Sequence, residues 1–153
     1  MRRFEKLVAS PLGDLTLESD GAHVTALCFG AHLRGGDSCP VLEQAAGELD
    51  EYFCGKRREF SVQLRADGTE FQRSVWDELT EIPYGETASY ADIAERIGNP
   101  KGCRAVGGAN NRNPLPVFIP CHRVIGKNGS PVGYAGGMER KVFLLRLERE
   151  NRE

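Results

Sequence analysis

Residues 89–110, SYADIAERIGNPKGCRAVGGAN, decide how the rest of the chain is read. Tyr90, Ile93, Ala94 and Ile97 recur at i, i+3, i+4 and i+7, and Ser89 with Asp92 three positions on has the capping pattern. A short helix therefore starts at Ser89 and ends at Gly98. Asn99-Pro100 makes a turn, and residues 101–110 read as a second short helix, so the pair has the spacing of a helix-turn-helix. The second member carries Gly102, Gly107 and Gly108. Each costs roughly 1 kcal/mol against alanine in a helix interior, so small side chains must serve a close approach. A packed neighbouring helix is one candidate for what approaches; a nucleic-acid groove is the other.

Upstream, Thr69-x-x-Gln72 is another capping box, opening a helix with Phe71, Val75, Leu79 and Ile82 on one stripe. Ala66-Asp67-Gly68 is the turn before it and the best domain boundary. Ahead of that turn, residues 4–9, 14–18 and 24–29 are short alternating or apolar runs separated by Pro11-Leu12-Gly13 and Asp20-Gly21, which predicts strands joined by hairpin turns. Residues 41–53 have a helical apolar period, and residues 60–64 read as one more strand. Downstream, residues 115–119 read as an apolar strand and residues 138–149 as a terminal helix. The expectation is an α/β (α+β) chain, with a small α/β domain over residues 1–66 and a helix-turn-helix domain over residues 67–153.

The 153 residues carry 20 Lys plus Arg against 22 Asp plus Glu, too balanced for a disordered tail, and no run approaches the roughly 18 apolar residues of a membrane span. Five cysteines with no C-x-x-C pair argue against a disulfide framework and for a reducing, cytoplasmic setting. His23, Cys28, His32 and Cys39 are zinc-type ligands, but their spacing matches no standard site, so no metal is expected. The near-neutral total hides a segregation. Residues 67–95 hold one cation against eight acids, a net of -7, whereas residues 96–146 hold nine cations against one acid, a net of +8. Such a basic stretch suits a polyanion, or a solvated face offset by the acidic segment before it.

Val117-Phe118-Ile119 runs into Pro120-Cys121-His122-Arg123. A cysteine beside histidine and arginine sits where a positive field would favour the thiolate, which is only ~3% populated at neutral pH for a free thiol. A structural cysteine fits the same dipeptide. Adjacent residues of an extended strand point to opposite faces, so His122 can serve Cys121 only if the chain bends here or a water intervenes. Taken alone, Tyr90 would be a core aromatic, Glu148 a surface carboxylate and Arg104 a solvated phosphate contact.

The ordered set Phe71-Gln72-x-x-Val75-Trp76, Ile82-Pro83-Tyr84-Gly85-Glu86-Thr87, Ser89-Tyr90-x-x-Ile93-Ala94, Gly98-Asn99-Pro100, residues 104–110, Asn113-Pro114, residues 119–125 and Gly133-Tyr134-x-Gly136-Gly137 resembles the methylated-DNA protein-cysteine methyltransferases, the 6-O-alkylguanine-DNA alkyltransferases. The resemblance implies a ribonuclease-H-like α/β domain followed by a winged helix-turn-helix-like alkyltransferase domain. It implies a monomeric, cofactor-free repair protein that flips 6-O-alkylguanine out of double-stranded DNA and moves the alkyl group to its own cysteine once. Whether 4-O-methylthymine is also accepted, and whether binding along DNA is cooperative, stay open. By position, the resemblance makes Cys121 the acceptor, His122 the base acting through a water, Glu148 its orienting partner and Tyr90 a hydroxyl donor to the extruded base. Arg104 becomes the finger replacing that base, with Lys101, Ala105, Gly107 and Gly108 on the DNA-binding helix. Asn113 becomes a structural hinge, and Tyr134 and Ala135 belong to the substrate-pocket loop, where several relatives have serine in place of Ala135. A winged-helix regulator would leave the proline-cysteine-histidine-arginine segment without a purpose, and a thiol hydrolase would turn over.

Overall fold

The computed structural model describes residues 3–126, 134 and 136–152. The chain divides into two compact units, Met1–Asp67 and Gly68–Glu153.

In the first unit, β1 (Phe4–Val8), β2 (Leu15–Ser19) and β3 (Val24–Phe29) form an antiparallel sheet with β2 in the centre. The hairpins close where Gly13 and Gly21 adopt positive φ, +93° and +100°, which side chains with a Cβ resist. Leu15 and Leu17 of β2 are fully buried, and α1 (Pro40–Phe53) buries Leu42, Ala45, Leu49 and Tyr52 along one face. Pro40 at the first turn suits a helix start, since the missing N–H would have no partner there. The expected strand over residues 60–64 is absent among the described residues: only Leu64 bridges to Val24, in parallel. The reason is Glu48. Its buried carboxylate accepts the backbone N–H groups of Ser61 and Val62, at 2.8 and 3.1 Å, which removes them from any ladder.

The second unit packs α2 (Glu70–Thr80), α3 (Tyr90–Arg96) and α4 (Cys103–Asn111) against one another and ends in α5 (Met138–Glu150). Both capping boxes form as the sequence predicts, Thr69 with Gln72 and Ser89 with Asp92, each reciprocal. Gly98 takes φ +78° where α3 ends. The indole of Trp76 donates to the Ala109 carbonyl at 2.8 Å, fixing the C-terminal turn of α4 to α2. Two short strands, β4 (Ala88–Ser89) and β5 (Val124–Ile125), pair in parallel. The expected strand over residues 115–119 is instead a tight buried turn, closed by an Ile119 N–H to Leu115 carbonyl bond of 2.8 Å and carrying Val117 at φ +75°. Pro114 and Pro116 lack the donors a ladder needs, and Asn113 straps the turn shut.

Candidate active site

Asn113 follows α4 directly. Its Oδ1 accepts the Leu115 N–H at 2.9 Å and its Nδ2 donates to the Ile119 carbonyl at 2.8 Å, so one side chain holds both ends of the turn. Pro120, at φ -78° and ψ 65°, then makes an inverse γ-turn closed by the Cys121 N–H on the Ile119 carbonyl at 2.7 Å. Cys121–Arg123 is a single 3-10 turn, and β5 follows at once. The chain therefore bends at Pro120, one of the two routes, beside an intervening water, that the sequence left for His122 to serve Cys121. Asn110, on the last turn of α4, adds a 3.3 Å bond from Nδ2 to the Cys121 carbonyl, tying α4 to the cysteine's own backbone.

Cys121 is 4% exposed. Burial pushes its thiol above the ordinary value, against the opposing pull of hydrogen bonds from Asn113, Tyr134 and its own N–H and of the Lys141 charge. The expected thiolate-favouring field is thus overridden at rest by desolvation, and the resting group is the neutral thiol. Such a thiol reacts only with a base to take its proton.

A histidine follows Cys121 directly in the chain. His122 is wholly buried, with Nε2 2.7 Å from Oε2 of Glu148. Glu148 is not the surface carboxylate its place on a terminal helix suggested, being 1% exposed. Burial alone would raise its carboxyl, but His122 and Arg123 outweigh that and hold it well below the usual carboxylate range. Arg123 grips the same group at two points, Nε to Oε1 at 2.8 Å and Nη2 to Oε2 at 3.0 Å, while Nη1 donates to the Ile82 carbonyl at 2.7 Å. Burial pushes the His122 imidazole below its ordinary value, Glu148 opposes, and the Arg123 and Lys141 charges push the same way as burial. Nδ1 of His122 is buried and has no hydrogen-bond partner among the described residues.

Tyr90 opens α3 half-buried, its hydroxyl pKa raised by desolvation and by interaction with Cys121, so it remains a donor throughout the neutral range. Its ring is 3.8 Å from where a Cβ on Gly107 would stand. Lys101, in the turn before α4, and Arg104 and Ala105 on it are exposed, and Gly107 and Gly108 are half-exposed. A Cβ on Gly108 would come no closer than 3.9 Å to anything, the Arg112 guanidinium. Among the described residues no neighbour forbids a methyl at either glycine: α4 turns Val106, Ala109 and Asn110 inward, and a Cβ on Gly107 would make only ordinary contact with Tyr90 of α3. Tyr134 is half-buried, its hydroxyl pKa raised by burial and by Cys121. Ala135 and Gly133 lie outside the described residues.

Sequence reasoning missed Arg123, Lys141 and Asn110. Lys141 is fully buried, its ammonium donates to the Val124 carbonyl at 2.5 Å, and burial lowers its pKa to about 8, with the interaction with Cys121 opposing that shift. The signal was the seven-residue step from Lys141 to Glu148, which puts both on one face of α5. In the first unit the four zinc-type residues have separate partners: His23 meets Asp20, His32 the Phe29 carbonyl, Cys28 Glu18 and Cys39 Ser19. No three His, Cys, Asp or Glu side chains converge as a metal site among the described residues.

Two family models match the chain: the ribonuclease-like domain of 6-O-methylguanine DNA methyltransferase over residues 4–66, and the DNA binding domain of the same family over residues 70–150. The methylated-DNA–protein-cysteine methyltransferase of Methanosarcina acetivorans is 58% identical over 155 residues, covering 95% of this chain and 97% of that one. The protein of the same description from Mycobacterium leprae is 54% identical over 146 residues, covering 92% and 88%. Among solved structures, the Mycobacterium tuberculosis O6-methylguanine methyltransferase superposes with a TM-score of 0.89 at 41% identity, covering 97% of this chain and 94% of that one. Mycobacterium tuberculosis OGT in complex with DNA gives 0.89 at 42%, covering 99% and 94%. With both halves matched in order and whole-length relatives above half identity, the chain belongs to the 6-O-methylguanine DNA methyltransferase family.

Proposed function

We propose that this protein repairs DNA by direct reversal, taking the methyl group of 6-O-methylguanine onto Cys121 and leaving guanine behind. The observation that carries this reading is a buried neutral thiol on a sharp turn, followed at once by a histidine whose outer nitrogen is engaged by Glu148 and whose inner nitrogen is open. The methylated base is inside the duplex stack and must be extruded to reach Cys121. Arg104, exposed on the first turn of α4, is the side chain to fill the gap, and Lys101, Ala105, Gly107 and Gly108 line the helix edge that meets the DNA. Small side chains there allow the backbone to come close to the groove.

In the chemical step, a Cys121 Sγ–carbon bond forms as the methyl carbon–oxygen bond breaks, and the electron pair departs onto the guanine oxygen. The thiol proton passes through a water to Nδ1 of His122, and the departing base, stabilised by the Tyr90 hydroxyl, regains one proton. One proton leaves sulfur and one returns to the base, so the step balances without a cofactor, a metal or a further reactant. Asn113 and Asn110 hold the cysteine's turn against α4, and Tyr134 belongs to the substrate-pocket loop that the family resemblance implies; Ala135, assigned to the same loop, lies outside the described residues. We assign residues 1–66 to a ribonuclease-like domain and residues 67–153 to DNA binding and transfer. The five free cysteines fit a reducing cytoplasm. No described helix is long and apolar enough to cross a membrane.

A thioether has no activated leaving group, so the protein is consumed. With excess duplex bearing 6-O-methylguanine, repaired base should rise to one equivalent of protein and stop. Peptide mass analysis should put one methyl on the Cys121 peptide and none on those of Cys28, Cys39, Cys54 or Cys103. Continued turnover, or methyl on another cysteine, would overturn the assignment.

A further inference from the structure

A buried histidine and glutamate left to themselves tend toward an imidazolium–carboxylate ion pair, because each charge stabilises the other in a medium of low dielectric. That state has both ring nitrogens protonated and cannot accept the thiol proton. Around His122 the charged groups are Glu148 and Lys141 from α5 and Arg123 from its own turn. Arg123 differs from the histidine in being permanently charged and unable to trade protons with Glu148. It takes both carboxylate oxygens, at 2.8 and 3.0 Å, and its third arm is fixed on the Ile82 carbonyl at 2.7 Å, with the guanidinium 5.7 Å from the Tyr84 ring centroid. The carboxylate is thereby already neutralised, and a second cation at His122 would face the guanidinium in a dry site. What remains favourable is the neutral ring donating Nε2–H to Oε2 at 2.7 Å, which leaves the lone pair on buried Nδ1.

We propose that Arg123 is a positioning residue for the transfer reaction: its two-point grip on Glu148 keeps His122 a neutral imidazole with Nδ1 able to take the Cys121 proton. This rests on the reading of Cys121 as the methyl acceptor, and its test separates the two. The three histidines of the chain make the His122 ring resolvable by NMR, with His23 and His32 as internal references, in the free protein and without any DNA. Arg123→Met should raise the pH at which the His122 ring titrates by about one unit or more, and Arg123→Lys, which can satisfy one oxygen at a time, by less. The single-turnover rate on methylated duplex should follow: a one-unit rise makes transfer about tenfold slower than wild type below both midpoints, with the curves converging at high pH. A purely architectural arginine would depress the rate equally at every pH. Should the methionine variant fail to fold, the lysine variant decides alone. An unshifted His122 titration in every folded variant, or a pH-independent loss of rate, overturns the proposal, whereas absence of methyl transfer in the wild type would overturn only the reading of Cys121.

Discussion

Lys141 and Glu148 are the two charged side chains that α5 turns inward, and their environments differ in sign and consequence. Glu148 is surrounded by His122 and Arg123 and stays ionised. Lys141 donates to the Val124 carbonyl and burial lowers its pKa from 10.5 to about 8. Its folded value lies below its unfolded one, so between roughly pH 8 and 10.5 the folded state binds fewer protons and stability rises with pH. Below pH 8 the cost of burying the charge is constant. Urea unfolding at pH 7.5 and 9.5 should therefore show the wild type gaining roughly 1–2 kcal/mol more over that interval than Lys141→Met, at a limiting slope of about 1.4 kcal/mol per pH unit. Parallel curves would mean the ammonium is not desolvated as its burial implies. The same depression puts a partly titrating group beside Cys121, so neutral pH is where Lys141 still opposes the burial-driven rise of the thiol pKa.

At the scale of elements, α4 is shaped by what it leaves out. Gly107 and Gly108 have helical backbones and room for a methyl, so their absence of side chain is a sacrifice of helix stability with no return from internal packing. Gly107→Ala should stabilise the free protein by about 0.5–1 kcal/mol in thermal unfolding. The added methyl would stand over the Tyr90 ring and on the edge proposed to meet the DNA, so the same variant should bind duplex more weakly and repair more slowly. A protein both more stable and unimpaired would disconnect these glycines from DNA. The two capping boxes and the helical period of residues 41–53 were legible in the sequence because their hydrogen bonds and spacing are local. The region of residues 115–119 was not, since its shape depends on the Asn113 strap and on Val117 accepting φ +75°, which a β-branched residue avoids. The terminal helix expected over residues 138–149 forms as α5, but its faces are mixed: Met138, Val142 and Phe143 are exposed while Lys141, Leu144 and Glu148 are buried. Only the family motif pointed to Glu148, and nothing pointed to Arg123 beyond its place in the tetrapeptide.

For the molecule as a whole, the net +8 over residues 96–146 overstates the charge offered to a polyanion. Arg123 is 7% exposed and committed to Glu148, and Lys141 is fully buried on the Val124 carbonyl. Arg140 is half-buried with one arm on the Gly136 carbonyl. Lys127 lies outside the described residues. What remains plainly exposed is Arg96, Lys101, Arg104, Arg112 and Arg146, three of which sit on α4 or within two residues of it. Each phosphate neutralised contributes about -0.9 to the slope of log affinity against log salt, so engagement of three to five of these cations predicts a slope of roughly -3 to -4.5 on undamaged duplex, about half of what the nine cations in sequence would suggest. Lys101→Ala should make that slope shallower by about 0.9, whereas Lys141→Met should leave it unchanged despite removing the same formal charge. Arg104→Ala should slow repair more than it weakens attachment to undamaged DNA, because stacking in the vacated gap matters only after the base has left. Fluorescence anisotropy on one duplex across a salt series measures the first two effects, and single-turnover repair on its methylated counterpart the third. Equal slope changes for Lys101 and Lys141 would show that the buried cation reaches the DNA after all, which is incompatible with its bond to the Val124 carbonyl.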